Sequence, residues 1–109
     1  MNAFQHDLQK LQFKINSFSF EDQDSLSFRI FLIEILSKLA AASTLSISRD
    51  SRRVIREVYY VLYDFYKSLA GIIHEDTFDR MKTEAKNSVT LLSEGLSPES
   101  RESLNKYWR

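Results

Sequence analysis

Apolar and polar residues follow a helical pattern from the start of the chain. Between residues 3 and 18 the apolar positions are spaced by four and three, and they are Phe4, Leu8, Leu11, Ile15 and Phe18. Because residues at this spacing lie on one face of an α-helix, the pattern indicates an amphipathic helix with one side turned to a core. A first helix is therefore predicted over residues 3–18.

A second and more apolar helix is predicted over residues 25–42, with Asp24 or Ser25 as its N-cap. Its apolar positions are Phe28, Ile30, Phe31, Leu32, Ile33, Ile35, Leu36 and Leu39. A helix that is apolar most of the way round is usually the most buried one. We therefore predict that this helix is the central packing element, with Glu34 and Lys38 paired on its narrow polar strip.

The longest apolar stripe belongs to a third helix, which is predicted over residues 50–73 after a turn rich in Ser and Thr. Ser48 or Asp50 is its predicted N-cap. The inward stripe consists of Ile55, Val58, Tyr59, Leu62, Phe65, Tyr66, Leu69 and Ile72. The outer strip consists of Arg53, Glu57, Tyr60, Asp64 and Lys67. This helix is expected to bury one side and to expose a charged one.

Two further helices are predicted, over residues 77–94 and 98–108. Asp76 is the predicted N-cap of the fourth helix, and Gly95 is expected to end it in the left-handed conformation. A Ser-Pro-Glu sequence follows, and it favours a new helix because serine caps well and proline suits the first helical position. The chain therefore ends in a short fifth helix.

These elements favour an antiparallel up-down four-helix bundle with the short fifth helix at the C-terminus. The 109 residues are enough for one domain with one core. Two glycines and one proline leave little material for a turn-rich β architecture. We therefore predict an all-α protein that forms a single domain over residues 1–109.

The charge balance and the absence of cysteine narrow the range of functions. Fifteen acidic and fifteen basic side chains cancel, so no overall field draws the chain to nucleic acid or to an anionic membrane. Without cysteine there are no disulfides or thiolate sites. The N-terminus lacks the pattern of a signal peptide, and the most apolar segment, residues 28–42, is shorter than the roughly 20 apolar residues of a membrane-spanning helix. A cytoplasmic location is expected.

The sequence contains no motif for catalysis, for a metal or for a cofactor. Neither His6 nor His74 has the second histidine of a zinc protease helix or the Glu three residues earlier that a di-iron bundle requires. Gly71 and Gly95 are the only glycines, so there is no glycine-rich loop for a phosphate. We therefore predict no enzymatic activity, no cofactor and no metal site.

Arginine is concentrated at the start of the third helix, at Arg49, Arg52, Arg53 and Arg56. Tyr60 and Tyr63 follow on the outer side of the same helix. Arginine and tyrosine are both enriched at interface hot spots, because each gives a large contact area together with hydrogen bonds. The aromatic C-terminus, Tyr107 and Trp108, is a second candidate surface, either packed onto the bundle or available to a partner or to a lipid headgroup. We predict that these positions bind another protein whose surface is acidic or membrane-associated.

Two other interpretations of the arginine cluster remain open. In the first, the arginines pair within the chain, either with the acidic loop at residues 21–24 or with the acidic fourth helix. In the second they bind nucleic acid. That alternative is weaker, because Asp50, Glu57 and Asp64 leave five positive and three negative charges between residues 49 and 67.

The segment from Leu39 to Leu69, LAAASTLSISRDSRRVIREVYYVLYDFYKSL, resembles bacteriocin immunity proteins in its layout. In both, a helix is followed by a turn that contains Leu and Ser and then by a helix rich in Leu and Tyr. The resemblance implies a cytoplasmic antiparallel four-helix bundle. It also implies that the C-terminal part recognises a bacteriocin-bound membrane receptor from inside the cell.

The combined prediction is a small, non-enzymatic helical protein that acts by protein–protein binding. One alternative is an immunity protein that protects the bacteriocin-producing cell from the cytoplasmic side. The other is a homo-oligomeric structural module such as a homodimer. That alternative arises because the second and third helices carry more apolar surface than one small bundle covers.

Overall fold

A computed structural model of the chain describes residues 2–22, 25–71 and 73–109. Within these ranges the protein is all-helical, which confirms the predicted class. Its helices are α1 (Ala3–Ser17), α2 (Leu26–Ala42), α3 (Arg49–Leu69), α4 (Glu75–Glu94) and α5 (Pro98–Tyr107), with a single 3₁₀ turn at Phe20–Asp22. Within the same ranges no helix combines the length and the hydropathy of a bilayer-spanning segment.

Serine side chains cap three of these helices. Ser25 Oγ accepts from the N–H of Phe28 at 3.4 Å, and Ser48 Oγ accepts from the N–H of Ser51 at 3.2 Å. Ser97 caps α5 in the same way. The cap of α3 is therefore Ser48, one of the two predicted residues. Asp24, the other candidate cap of α2, lies outside the described residues.

The predicted start of α4 is wrong by two residues. The helix begins at Glu75, and His74 occupies the N-cap position without a side-chain hydrogen bond to the helix. Asp76, the predicted cap, lies inside the first turn together with Glu75. Acidic side chains are favourable there as well, because they complement the positive end of the helix dipole.

The predicted end of α3 is also too late. The helix ends at Leu69, where the N–H of Ala70 donates to Lys67 O at 3.1 Å and the N–H of Gly71 donates to Ser68 O at 3.3 Å. Such bonds to the third preceding residue tighten the chain into a turn. Ile72, the last residue of the predicted stripe, lies outside the described residues.

Gly95 ends α4, but not for the predicted reason. Its φ of −94° is right-handed, so the left-handed expectation is wrong. A Cβ at this position would lie 2.7 Å from the carbonyl oxygen of Leu91. Glycine is therefore required by the close approach of the backbone, whose N–H donates to the same Leu91 oxygen.

The helices pack around α3 and α4. α3 contacts both α2 and α4, and α1 contacts α4 and α5. α2 packs mainly against α3, and its other side stays exposed at Leu26, Ile30 and Ile33. The prediction that α2 is the central packing element is therefore wrong, because α3 and not α2 lies between two neighbouring helices. The apolar residues on the outer side of α2 remain exposed.

Asp7 joins both ends of the chain to α2. Its Oδ2 accepts from Lys38 Nζ at 2.6 Å and from Trp108 Nε1 at 2.8 Å. Lys38 therefore pairs with Asp7 and not with Glu34 as predicted, and Glu34 is exposed. Burial alone would raise the pKa of Asp7, but the hydrogen bonds from Lys38 and Trp108, with the charge of Lys38, lower this pKa below its usual value.

Four serines connect the N-termini of α3 and α5 reciprocally. In an ordinary capping box, the third helical residue binds the N–H of its own N-cap. Here the N–H of Ser48 donates to Ser100 Oγ, and the N–H of Ser97 donates to Ser51 Oγ, each at 3.0 Å. Ser51 and Ser100 are both buried. Each helix thus completes the cap of the other, which fixes the start of α5 against the start of α3.

Replacing Ser100 with alanine should lower the free energy of unfolding by about 1 to 2 kcal/mol, because the N–H of Ser48 loses its acceptor. Chemical denaturation followed by circular dichroism measures the change. Ser37, which is exposed on α2, provides the control. Ser37→Ala should stay within about 0.5 kcal/mol of the parent. Equal effects of the two substitutions would contradict the reciprocal cap.

Candidate functional site

One side of α3 carries the predicted binding residues. The predicted binding residues on α3 are called the Arg/Tyr face below, and they are Arg49, Arg52, Arg53, Arg56, Tyr60 and Tyr63. Tyr60 is 58% exposed and Tyr63 is 37% exposed. Arg52 is half-buried, and the other three arginines are exposed. About four turns of one helix therefore bring these six residues together at the surface, as their spacing predicts.

No arginine of this face forms an ion pair within the described part of the chain. Glu21 and Asp22 are exposed there, and Asp24 lies outside it. Arg52 and Arg56 lie toward α2, because both line a pocket together with residues of that helix. Asp50 is an acidic residue within the cluster, since it lines one pocket together with all four arginines. The four arginines outnumber this carboxylate, so the start of α3 has a net positive charge.

Both tyrosines of this face contact the ring of Tyr59, which is not itself one of the six residues of the face. The Tyr59 ring stacks on the Tyr63 ring, with centroids 6.1 Å apart and planes 7° apart. It also meets Tyr60 edge to face at 5.6 Å. Lys67 Nζ lies 5.0 Å from the centroid of the Tyr63 ring. Rings that are already ordered lose less conformational entropy when a partner binds.

A groove runs between α2 and α3 beside these tyrosines, and its volume is about 230 Å³. We call it the α2–α3 groove. Leu39 and Ile55 are buried and form its floor. The rim is formed by side chains with polar ends, which are Arg52, Arg56, Tyr59 and Tyr60. The groove thus combines an apolar bottom with a cationic and aromatic border.

Arg52 is held in place at this groove. Its Nη2 donates to the carbonyl oxygen of Leu45, in the turn after α2, at 3.1 Å. Its buried Nε has no acceptor within the described residues. A buried donor without a partner costs free energy. The hydrogen bond to Leu45 thus holds the guanidinium group at the edge of the groove, while its Nε is inaccessible to a partner.

Five of the eight residues that line the groove were not predicted from the sequence as parts of a site, namely Leu39, Ala40, Ser43, Ile55 and Tyr59. Tyr59 was assigned to the core, but it is half-buried and lies on the rim. Leu39 was assigned only to the packing face of α2. No local signal marks a residue on one helix as the floor of a groove next to another helix. The arrangement follows from how α2 and α3 pack.

The aromatic C-terminus is divided between core and surface. Trp108 is only 6% exposed, and its ring lies 5.2 Å from that of Phe4 in an edge-to-face contact. Tyr107 is 53% exposed and lines a different groove together with Lys38 and Leu45. The structure therefore packs Trp108 against the core, although its side chain also lines this groove, and it does not bring either residue into the Arg/Tyr face.

The exposed apolar positions Leu26, Ile30 and Ile33 are spaced by four and three, so they form one stripe along α2. They belong to the helix for which the sequence indicated surplus apolar surface. The homo-oligomeric module stays a prediction.

The histidines and carboxylates of the described ranges form no group of three that is able to hold a metal ion. His6 Nδ1 lies 3.8 Å from Asp7 Oδ1, and the His6 side chain is exposed. His74 is exposed at the start of α4.

Comparisons with protein-family models, with curated proteins and with solved structures gave no match to this chain. The resemblance to bacteriocin immunity proteins stays a prediction from the sequence. The function is argued below from the Arg/Tyr face and its groove.

Proposed function

We propose that this protein is a non-enzymatic helical protein that binds an acidic surface of another protein through the Arg/Tyr face. The observation that supports the proposal best is the lack of ion pairs for this arginine cluster within the described residues. Exposed tyrosines adjoin these arginines on α3. Large aromatic side chains and arginines supply much of the binding energy in protein interfaces.

The position of the arginines also supports an anionic partner. They begin at Arg49, the first residue of α3, where the helix dipole is positive. Cations are unfavourable at this end by about 0.3 to 1 kcal/mol each within the first turn. Carboxylates of a partner would interact favourably with both the dipole and the guanidinium groups. The arrangement thus lowers the stability of the helix and increases its attraction for an acidic surface.

The proposal includes the finer architecture predicted from the sequence, an antiparallel up-down four-helix bundle with a fifth C-terminal helix. The contacts of α2 with α3, of α3 with α4 and of α1 with α4 are compatible with such a bundle. In this arrangement α3 is supported from two sides. A rigid α3 would present the Arg/Tyr face with little rearrangement on binding.

The test compares a triple variant of the face, Arg52→Ala with Arg56→Ala and Tyr63→Ala, with the parent protein. Affinity purification from the cells of origin should recover a protein with the parent and not with the variant. Once that protein is purified, titration should show at least about 30-fold weaker binding by the variant, since hot-spot losses are about 2 kcal/mol or more. Added salt should weaken the binding of the parent, because exposed charges are screened.

A matched control removes the same number of cationic and aromatic side chains away from this face. Arg80→Ala, Lys86→Ala and Phe13→Ala are suitable because all three residues are exposed on α4 or α1. The control should retain the binding of the parent. Circular dichroism should give equal helical content for all three proteins. Unchanged binding by the triple variant, with its helices intact, would exclude the proposal.

A further inference from the structure

The α2–α3 groove is too small for most small-molecule ligands. Its volume of about 230 Å³ lies below the roughly 300 to 1,000 Å³ that such sites occupy. The buried side chains of Leu39 and Ile55 make its floor apolar. A cleft of this kind, open on a protein-binding face, suits one large apolar side chain of a partner. Such anchors in well-packed pockets are typical hot spots of protein interfaces.

The border of the groove restricts what can flank that anchor. Arg52 and Arg56 lie one helical turn apart on the same side, so they contribute two guanidinium groups next to one another. Tyr59 and Tyr60 meet edge to face on the remaining border, where another aromatic ring gains similar contacts. The groove is thus matched to an aromatic side chain between carboxylates.

From this match we infer that the groove binds a single aromatic anchor, a phenylalanine for instance, within an acidic segment of the partner. The carboxylates of that segment pair with Arg52 and Arg56, and the ring contacts Leu39 and Ile55. This inference rests on the proposed function. The class of partner is then no longer any protein with an acidic surface. It is a protein with an acidic segment that contains one aromatic residue, and this residue inserts between α2 and α3.

The test uses short, blocked, fluorescent peptides and the full-length protein. The first peptide has one phenylalanine with glutamates on both sides, the second has alanine in place of phenylalanine, and the third has lysines in place of glutamates. Fluorescence anisotropy should give a dissociation constant for the first peptide that is lower than that for the second by a factor of about 10 or more, as expected for burial of a phenyl ring. The third peptide should bind much more weakly than the first.

Filling the groove provides a variant that keeps every charge. Ala40 is exposed on α2 and lines the groove, so Ala40→Phe should occupy the space for the anchor. This variant should bind the phenylalanine and alanine peptides equally. The matched control is Ala41→Phe, because Ala41 is also exposed on α2 but lines the groove near Tyr107. The control should keep the preference of the parent for phenylalanine.

The outcomes separate the inference from the proposed function. If the parent binds both glutamate peptides equally, the anchor is excluded, while binding of an acidic partner still stands. If the lysine peptide binds as tightly as the first, the charge match is wrong. If no glutamate peptide binds at all, both the inference and the acidic partner are contradicted.

Discussion

Replacing Phe65 with alanine should lower the free energy of unfolding by about 3 to 5 kcal/mol, the usual loss for a large buried aromatic residue. Phe65 is fully buried in the C-terminal part of α3. Its ring centroid lies 6.0 to 6.2 Å from those of three other aromatic residues, Phe18, Phe28 and Phe78. These residues come from α2, from α4 and from the end of α1, so one substitution leaves a cavity at the junction of these elements.

Such a loss is large relative to a total stability of about 5 to 15 kcal/mol for a typical domain. Urea denaturation measures the change directly. Phe13→Ala is the control, because Phe13 is 71% exposed and its loss should cost less than about 0.5 kcal/mol. A cost for Phe65→Ala below about 1 kcal/mol would mean that the aromatic cluster is not the centre of the core.

The position of Phe65 links stability to the proposed binding surface. α3 uses one side for the core and the other for the Arg/Tyr face, so disruption of the core would also displace the arginines and tyrosines. Binding experiments are therefore interpretable only with variants that leave the core residues intact. Arg52, Arg56 and Tyr63 meet this condition, since none of them is buried in the core.

The helices and the composition of the Arg/Tyr face could be predicted because both depend on local spacing. Apolar residues at intervals of three and four define the inner side of each helix, and charged residues at the same spacing define the outer side. This rule placed Phe65 inside and Tyr60 outside, as in the structure. It could not show that Leu39 would form the floor of a groove, because that depends on the packing of α2 against α3.

Contacts between distant residues were beyond the sequence pattern. Lys38 had a plausible partner one turn away in Glu34, and helical geometry favours such pairs only weakly. The actual partner, Asp7, is 31 residues away in the chain, and it also binds Trp108 at a separation of 101 residues. Trp108 was assigned to a binding surface for the same reason, since nothing local indicates that the C-terminus folds back on α1.

The second large effect is expected for Asp7, whose carboxylate accepts hydrogen bonds from Lys38 and Trp108. Asp7→Asn should lower the free energy of unfolding at neutral pH by about 2 to 3 kcal/mol. The reason is that it removes the ionic partner of Lys38 and weakens the acceptor for the buried indole. The estimate stays below that for a fully buried pair, because 30% of the Lys38 side chain is exposed. Denaturant titration near pH 7 measures the loss.

The same contacts predict how the difference depends on pH. The folded protein holds the pKa of Asp7 below the ordinary value of 3.8, so the carboxylate stabilises the fold wherever it is ionised. This contribution is fully present above the unfolded pKa and is lost as the pH falls through the lower, folded pKa. The parent and Asp7→Asn should therefore differ near pH 7 and converge on acidification below about pH 4.

Asp79→Asn is the matched control, because Asp79 is exposed on α4 and lies in no described ion pair. It should have the stability of the parent near neutral pH. Equal stability of the parent and Asp7→Asn at neutral pH would show that Asp7 does not hold the two ends of the chain together. If the difference in the free energy of unfolding between the parent and Asp7→Asn persists unchanged at acidic pH, the effect comes from the packing of the side chain and not from its charge. If both expectations hold, the buried Trp108 is fixed by a charge at the other end of the chain, and of the two aromatic C-terminal residues only Tyr107 remains accessible to a partner.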